Sequence, residues 1–335
     1  MSKNLPLQRF VYLVVDGEKP CTLDLHRIDM SRFFNPRSLQ TSAIVEGRLP
    51  RPSMTFYAPS SEHCSGSMHF VLLDHDKVLA SDQTGRTTIY HVGLRAVSAA
   101  PALSGEARDS PVSIAVGDSI YILDAARKEH HLEALVYERG RGRGRWRGRL
   151  YDDDWCCQSV PAPPYRPANI GACAVVGGSH LWVSAGDEGT YSLDTAQGGQ
   201  GVAEYVPEHG LWFGLSAKNG GGNSNLFCAF NLAGAARRQS RPAPRNAWED
   251  LWPPRGWLPV ASHLVHLGAA RFCMARLFCE KHTERCGCGG MDGYLPWKSF
   301  AVFTGVEVEP CGKAGKGLRM VRHRSECYRL GDDNL

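Results

Sequence analysis

"HFVLLDHDKVLASDQTGRTTIYHV", residues 69–92, decides the fold. Two short apolar runs flank the polar turn Asp74-His75-Asp76, and a third run follows Gly85. Runs rich in Val, Ile, Leu and Tyr on either side of a tight polar turn read as a β-hairpin. The run after Gly85 adds a third strand to it. The hairpin then recurs along the chain. It is seen as "FVYLVV-DGEKP-CTLDLHRI" around Gly17, "VSIAV-GD-SIYIL" at Asp118 and "ACAVV-GGS-HLWVS" at Gly178. "AEYVP-EHG-LWFGLS" at His209 and "HLVHL-GA-ARFCMARLF" at Ala269 complete a set of six.

The six turns are spaced by 58, 43, 60, 31 and 60 residues, a mean period of about 50. Such a period, with several short strands per unit and no helical pattern, is the signature of a β-propeller. The alternative is a two-sheet sandwich array. Six hairpins predict six blades, with the N-terminal strand completing the last one. "ASDQTGRTTIYHV" and "VSAGDEGTYSLDT" stand at equivalent places as third strands. "VSAAPALS" and "QSVPAPPY", small and proline-rich, follow as connections between blades. The step of 31 is too short for a complete blade, so one blade is expected to be degraded near residues 171–202.

Composition agrees. The 335 residues contain 36 glycines and 20 prolines, with 43% apolar and 21% charged residues, as in a turn-rich globular protein. The net charge of +4 is local, because the six arginines of "ERGRGRGRWRGR" (138–149) supply +6 and the remainder carries −2. No stretch has the 18–20 apolar residues, roughly, that cross a bilayer, and none has the apolar core of a secretory leader. Twelve cysteines without such a leader read as reduced thiols of the cytoplasm or nucleus. Cys173, Cys228 and Cys273 sit within strand-like runs, where a thiol behaves as a small hydrophobe.

The expected organisation is a short tail at 1–8, one β-propeller domain over 9–330 and a C-terminal tail at 331–335. Loop insertions are expected at 138–154, 234–248 and 279–297. The tail at 1–8 is expected to leave no room for a helical adaptor module before the first hairpin.

"PVSIAVGDSIYIL", "GTYSLDT", "AEYVPEHGLWFGLS", "SHLVHLGAARFCMARLF", "FAVFTGVEV" and "GLRMVRHRSECY" together resemble the grass-expanded domain of unknown function 1668. The likeness keeps the order of segments from about Arg9 to Leu330. It implies a plant protein with a kelch-like propeller, and it carries no reaction or catalytic residue. The chain departs from the family pattern in three places. Only "AQGGQGV" (196–202) stands between "SLDT" and "AEYVPEHG", where the family has a tryptophan-containing segment. Tyr90-His91 replaces the family's Tyr-Asp. The Arg-Gly run and "CEKHTERCGCGG" elaborate variable loops.

Two stretches could carry chemistry. Cys279, His282, Cys286 and Cys288 offer four zinc-type ligands on a glycine-rich backbone, although structural sites use two well-separated pairs. Arg139, Arg141, Arg143, Arg145, Arg147 and Arg149 could neutralise phosphates while Trp146 stacks on a base. Asp152–Asp154 offset part of that charge, and a tolerant loop accumulates such strings at little cost. His263 and His266, three apart on a strand, point to opposite faces and cannot share a metal.

No Gly-x-Ser-x-Gly, phosphate loop or dinucleotide fingerprint occurs, and "NGGGNS" (219–224) reads as a hairpin loop. The sequence therefore favours a non-catalytic protein-interaction scaffold without cofactor or membrane. An RNA- or polyanion-associated protein acting through 139–149 is the alternative. An enzyme with its site at the propeller centre comes third.

Overall fold

A computed structural model describes residues 8–34, 44–58, 66–74, 76–103, 112–116, 119–123, 132–138, 154–160, 170–176, 180–185, 189–194, 204–206, 208–217, 225–231, 244–248, 256–280, 298–312 and 317–330. They form an all-β protein in a β-propeller arrangement. β1 (Phe10–Asp16) and β2 (Thr22–Asp29) make the first hairpin; a 3-10 turn (Met30–Phe34), β3 (Ile44–Glu46) and β4 (Met54–Tyr57) follow. One blade is β5 (Met68–Asp74), β6 (Lys77–Asp82), β7 (Thr87–His91) and β8 (Ala96–Ala99). The next is β9 (Val112–Val116), β10 (Ser119–Leu123), β11 (Leu132–Glu138) and β12 (Asp154–Val160). A three-stranded sheet holds β13 (Ile170–Val176), β14 (His180–Ala185) and β15 (Gly189–Asp194). Then come β16 (Glu204–Val206), β17 (Leu211–Ala217), β18 (Asn225–Phe230) and β19 (Pro244–Trp248). The last sheet has β20 (Trp257–Gly268), β21 (Arg271–Glu280), β22 (Ser299–Cys311) and β23 (Gly317–Leu330), with β3 added at its edge.

All six predicted hairpins form, but six blades become five. Four sheets are meanders of strands consecutive in sequence; a fifth, β20–β23, is a meander to which β3 is added in parallel beside β23, and the sixth, β1-β2-β4, skips β3. The strand that completes the last sheet is therefore β3 and not the N-terminal β1. Both predicted third strands are present, as β7 and β15. Among the described residues the sheet at the expected degraded blade has the three strands β13, β14 and β15. Strands reach further than expected elsewhere. β8 takes up the start of "VSAAPALS", β12 the start of "QSVPAPPY", and β19 the end of the stretch 234–248.

The opening stretch shows why the pattern folds this way. Period-two alternation puts Val71, Leu79 and Ile89 on one row of one face, and all three are buried. The β6–β7 turn is held by Asp82, whose Oδ1 accepts from the Thr84 N–H (2.8 Å), the Thr84 hydroxyl (2.7 Å) and the Arg86 N–H (3.0 Å). Gly85 takes φ 82°, the left-handed region that a side chain disfavours.

Two compact units emerge, Met1–Asp16 with Asp24–Met54 and Tyr205–Leu335, and Gly17–Leu23 with Thr55–Glu204. In the second unit, Val71, Leu79, Ile89 and Leu103 pack with Ile120, Ile122 and Leu135. In the first, Phe213, Phe227 and Phe272 are fully buried, with ring centroids 5.2–5.8 Å apart, and Trp248 lies 5.3 Å from Phe227.

Candidate functional site

The richest cluster of ionisable side chains among those described lies where the 3-10 turn covers β22 and β23. Asp29 sets the turn by accepting from the Ser31 N–H at 3.0 Å. The Arg9 guanidinium holds Asp29 in turn, with Nη2 2.6 Å from Oδ2, and pushes its carboxyl down to about 2. A 3-10 turn eclipses residues three apart, so Met30 and Phe33 point together into the core, and both are buried.

Beneath the turn, β22 and β23 lose register between Thr304 and Val306, whose partners are Ser325 and Arg322. His323 and Arg324 therefore both stand opposite the single residue Gly305, which is the geometry of a β-bulge. A Cβ on Gly305 would lie 3.2 Å from Phe33 Cβ and from Phe34 Cζ, so glycine lets the turn sit down on the sheet.

Two ionic groups flank these phenylalanines. In one, the buried Glu326 accepts from Tyr328 Oη at 2.6 Å and Arg32 Nη2 at 2.6 Å, and its other oxygen lies 2.9 Å from Arg324 Nε. Arg32 also donates to the Tyr328 hydroxyl. Burial, then the Glu326 carboxylate, push the Tyr328 hydroxyl well above the ordinary phenol range. In the other, Glu307 lies 3.0 Å from His323 Nε2 and 3.4 Å from Arg271 Nε. The Phe34 ring lies 4.9 Å from the His323 ring, tilted by 55°, with the Arg271 guanidinium 5.2 Å from the Phe34 centroid.

Both carboxylates are thus committed to guanidinium or imidazole partners. The arrangement fastens one segment of chain onto another. In the second unit, His69 Nε2 meets the Ser113 hydroxyl, and Cys157 Sγ points at the buried Glu133 at 3.6 Å.

The predicted site residues fall elsewhere. Cys279 lies in β21 opposite Ser299 and Leu258; His282, Cys286 and Cys288 lie outside the described residues. Among the described residues no group of three His, Cys, Asp or Glu is placed to hold a metal ion. Arg139, Arg141, Arg143, Arg145, Trp146, Arg147 and Arg149 also lie outside; the strands on either side of them end in the pair Glu138↔Asp154. His263 and His266 sit on β20 opposite Ala275 and Phe272, on opposite faces as expected. Cys228 and Cys273 are buried in strands, and desolvation raises both thiols. No helix among the described residues is long and apolar enough to cross a membrane. Sequence reading missed Arg32, Arg271, Glu307, His323, Glu326 and Tyr328. The one available signal was Gly305 inside the run "FAVFTGVEV", because a mid-strand glycine marks a bulge or a close approach.

The family of proteins of unknown function DUF1668 matches residues 8–328, nearly the whole chain, and the chain belongs to it. No curated protein matches.

Proposed function

We propose that the chain is a non-catalytic protein-interaction scaffold. One observation carries this reading. Every residue of β8 is exposed, and Val97 (51%), opposite the buried Tyr90, and Leu94 (76%), in the preceding turn, present apolar surface. A rigid sheet that holds apolar side chains in water is a surface suited to a protein partner. The ionic groups beneath the 3-10 turn support the same view, since they fasten chain to chain. The family likeness supports a plant protein with a kelch-like propeller, and the cysteine usage supports the cytoplasm or nucleus.

Tagged wild-type chain and a Leu94→Asp/Val97→Asp double variant, used as baits in parallel, test the reading. We expect a reproducible partner on the wild type, reconstituted from purified components and lost from the variant. Absence of any reproducible partner, or equal capture by both baits, overturns it.

A second reading has the Arg-Gly run binding RNA or another polyanion. It is supported by the position of 139–149 between two paired strand ends on an otherwise slightly acidic chain. Deleting 139–149 should abolish salt-dependent RNA binding. Unchanged binding after the deletion rejects it.

A further inference from the structure

The last sheet is finished by three residues that come from far away in sequence. Ile44, Val45 and Glu46 pair in parallel with Ser325, Glu326 and Cys327, and the Gly47 N–H donates to the Cys327 carbonyl at 2.8 Å. The other pairings within the last sheet are antiparallel and run for nine positions or more. Parallel pairing is slightly weaker per residue, and three residues make few such bonds. Val45 remains 39% exposed, so it adds little to the hold.

The grip lies in two side-chain positions. Ile44, Trp257 and Phe300 pack on the buried Phe278, Val302 and Cys327, and the Trp257 and Phe300 rings stack at 4.0 Å. At Gly47 a Cβ would lie 2.9 Å from Tyr328 Cε1, so only glycine passes over that ring. The edge thus reads an aliphatic residue, two permissive positions and a glycine, in a fixed parallel direction. Main-chain bonding with pockets for chosen side chains is the way sheet edges recognise extended peptides.

We propose that β3 is the resident occupant of a strand-docking edge on β23. A partner protein's extended segment with Ile or Val, then Gly three residues later, takes the same edge in parallel when β3 leaves. This rests on the scaffold reading and names the chemistry of its partner. The hydrogen bonds of the Arg32–Glu326–Tyr328 group run between the 3-10 turn and β23, while Gly47 passes over the Tyr328 ring.

The test uses the full chain and a fluorescent peptide of residues 42–49, SAIVEGRL. In wild type the resident strand competes, so anisotropy should show weak binding. Gly47→Val, which clashes with Tyr328, and Ile44→Asp, which leaves the apolar pocket, should each strengthen peptide binding about tenfold or more, as removal of an internal competitor requires. A peptide with valine in place of its glycine should not bind.

Variants that still unfold cooperatively yet bind no better than wild type overturn the proposal. So does sedimentation showing that wild-type chains exchange β3 in dimers, which would make a second copy the occupant. A chain that captures its partner through Leu94 and Val97 but ignores the peptide loses this inference alone. One that takes the peptide and has no reproducible partner loses the scaffold reading.

Discussion

The sheet β20–β23 and the sheet β13–β15 grow from the same hairpin pattern and end differently. The first has strands of 10 to 14 residues and an added fifth strand; the second, among the described residues, has three strands of 6 or 7 residues. A strand with a hydrogen-bonded neighbour on each side satisfies its whole backbone within the protein, whereas an edge strand leaves half of its ladder to water. In the long sheet that places β21, β22 and β23 between neighbours; in the short one, among the described residues, β14 alone is so placed. Stability in this chain should therefore be uneven, concentrated where the chain's two ends are joined through β3 and β23.

The largest expected effect tests the strong side of that contrast. Phe272 is fully buried against Phe213 and Phe227, so Phe272→Ala should cost about 3–5 kcal/mol by denaturant unfolding. A loss under about 1 kcal/mol would show that this core is not the strong region. Hydrogen exchange tests the contrast directly: amides of β15 should open at a free energy about 2 kcal/mol or more below those of β22, roughly thirtyfold faster. Equal protection would mean that the short sheet is completed by other means.

A smaller effect concerns the 3-10 turn that packs on the long sheet and on β1. Asp29 has its carboxyl held down to about 2 by Arg9, against roughly 3.9 in an unfolded chain. A depressed carboxyl stabilises the fold above its unfolded value and loses that contribution as pH falls through its folded one. The difference in melting temperature between wild type and Arg9→Ala should therefore be full above about pH 4 and vanish near pH 2. A difference that persists unchanged at pH 2 would assign the effect to packing of Arg9 on Phe10.

The smallest effect is at the β20–β21 turn, where Ala269 and Ala270 both take positive φ, 51° and 56°. Two-residue turns of this kind favour Asn-Gly. Ala269→Asn should stabilise by about 0.5–1 kcal/mol, seen as a small rise in melting temperature. A fall would show that the Ala269 methyl is needed.

Much of the architecture was legible because hairpins are local. Asp74–Asp76, His209 and Ala269 mark turns in their own sequence neighbourhood, and the short step between Gly178 and His209 falls at the sheet that has three strands among the described residues. The blade count failed at the first hairpin. β1 and β2 look like the others, yet they pair with β4 while β3 leaves for β23. Nothing in "AIVEG" announces a parallel partner some 280 residues away. The ionic groups were hidden for the same reason. Arg32 and Glu326 become neighbours only after the 3-10 turn lies on the bulge at Gly305, and a bulge changes which face a side chain takes without altering composition.

The sequence by itself determined that the chain is built of antiparallel hairpins, because period-two alternation and turn chemistry act over a few residues. It also determined the charge balance, since the Arg-Gly run alone makes a slightly acidic chain basic. Only the tertiary structure decided that residues 44–47 close the last sheet, that Gly47 and Gly305 are the points of close approach, and that Glu326 gathers Arg32, Arg324 and Tyr328. Those outcomes depend on which distant surfaces meet, and contact between distant surfaces leaves no periodic mark in a sequence.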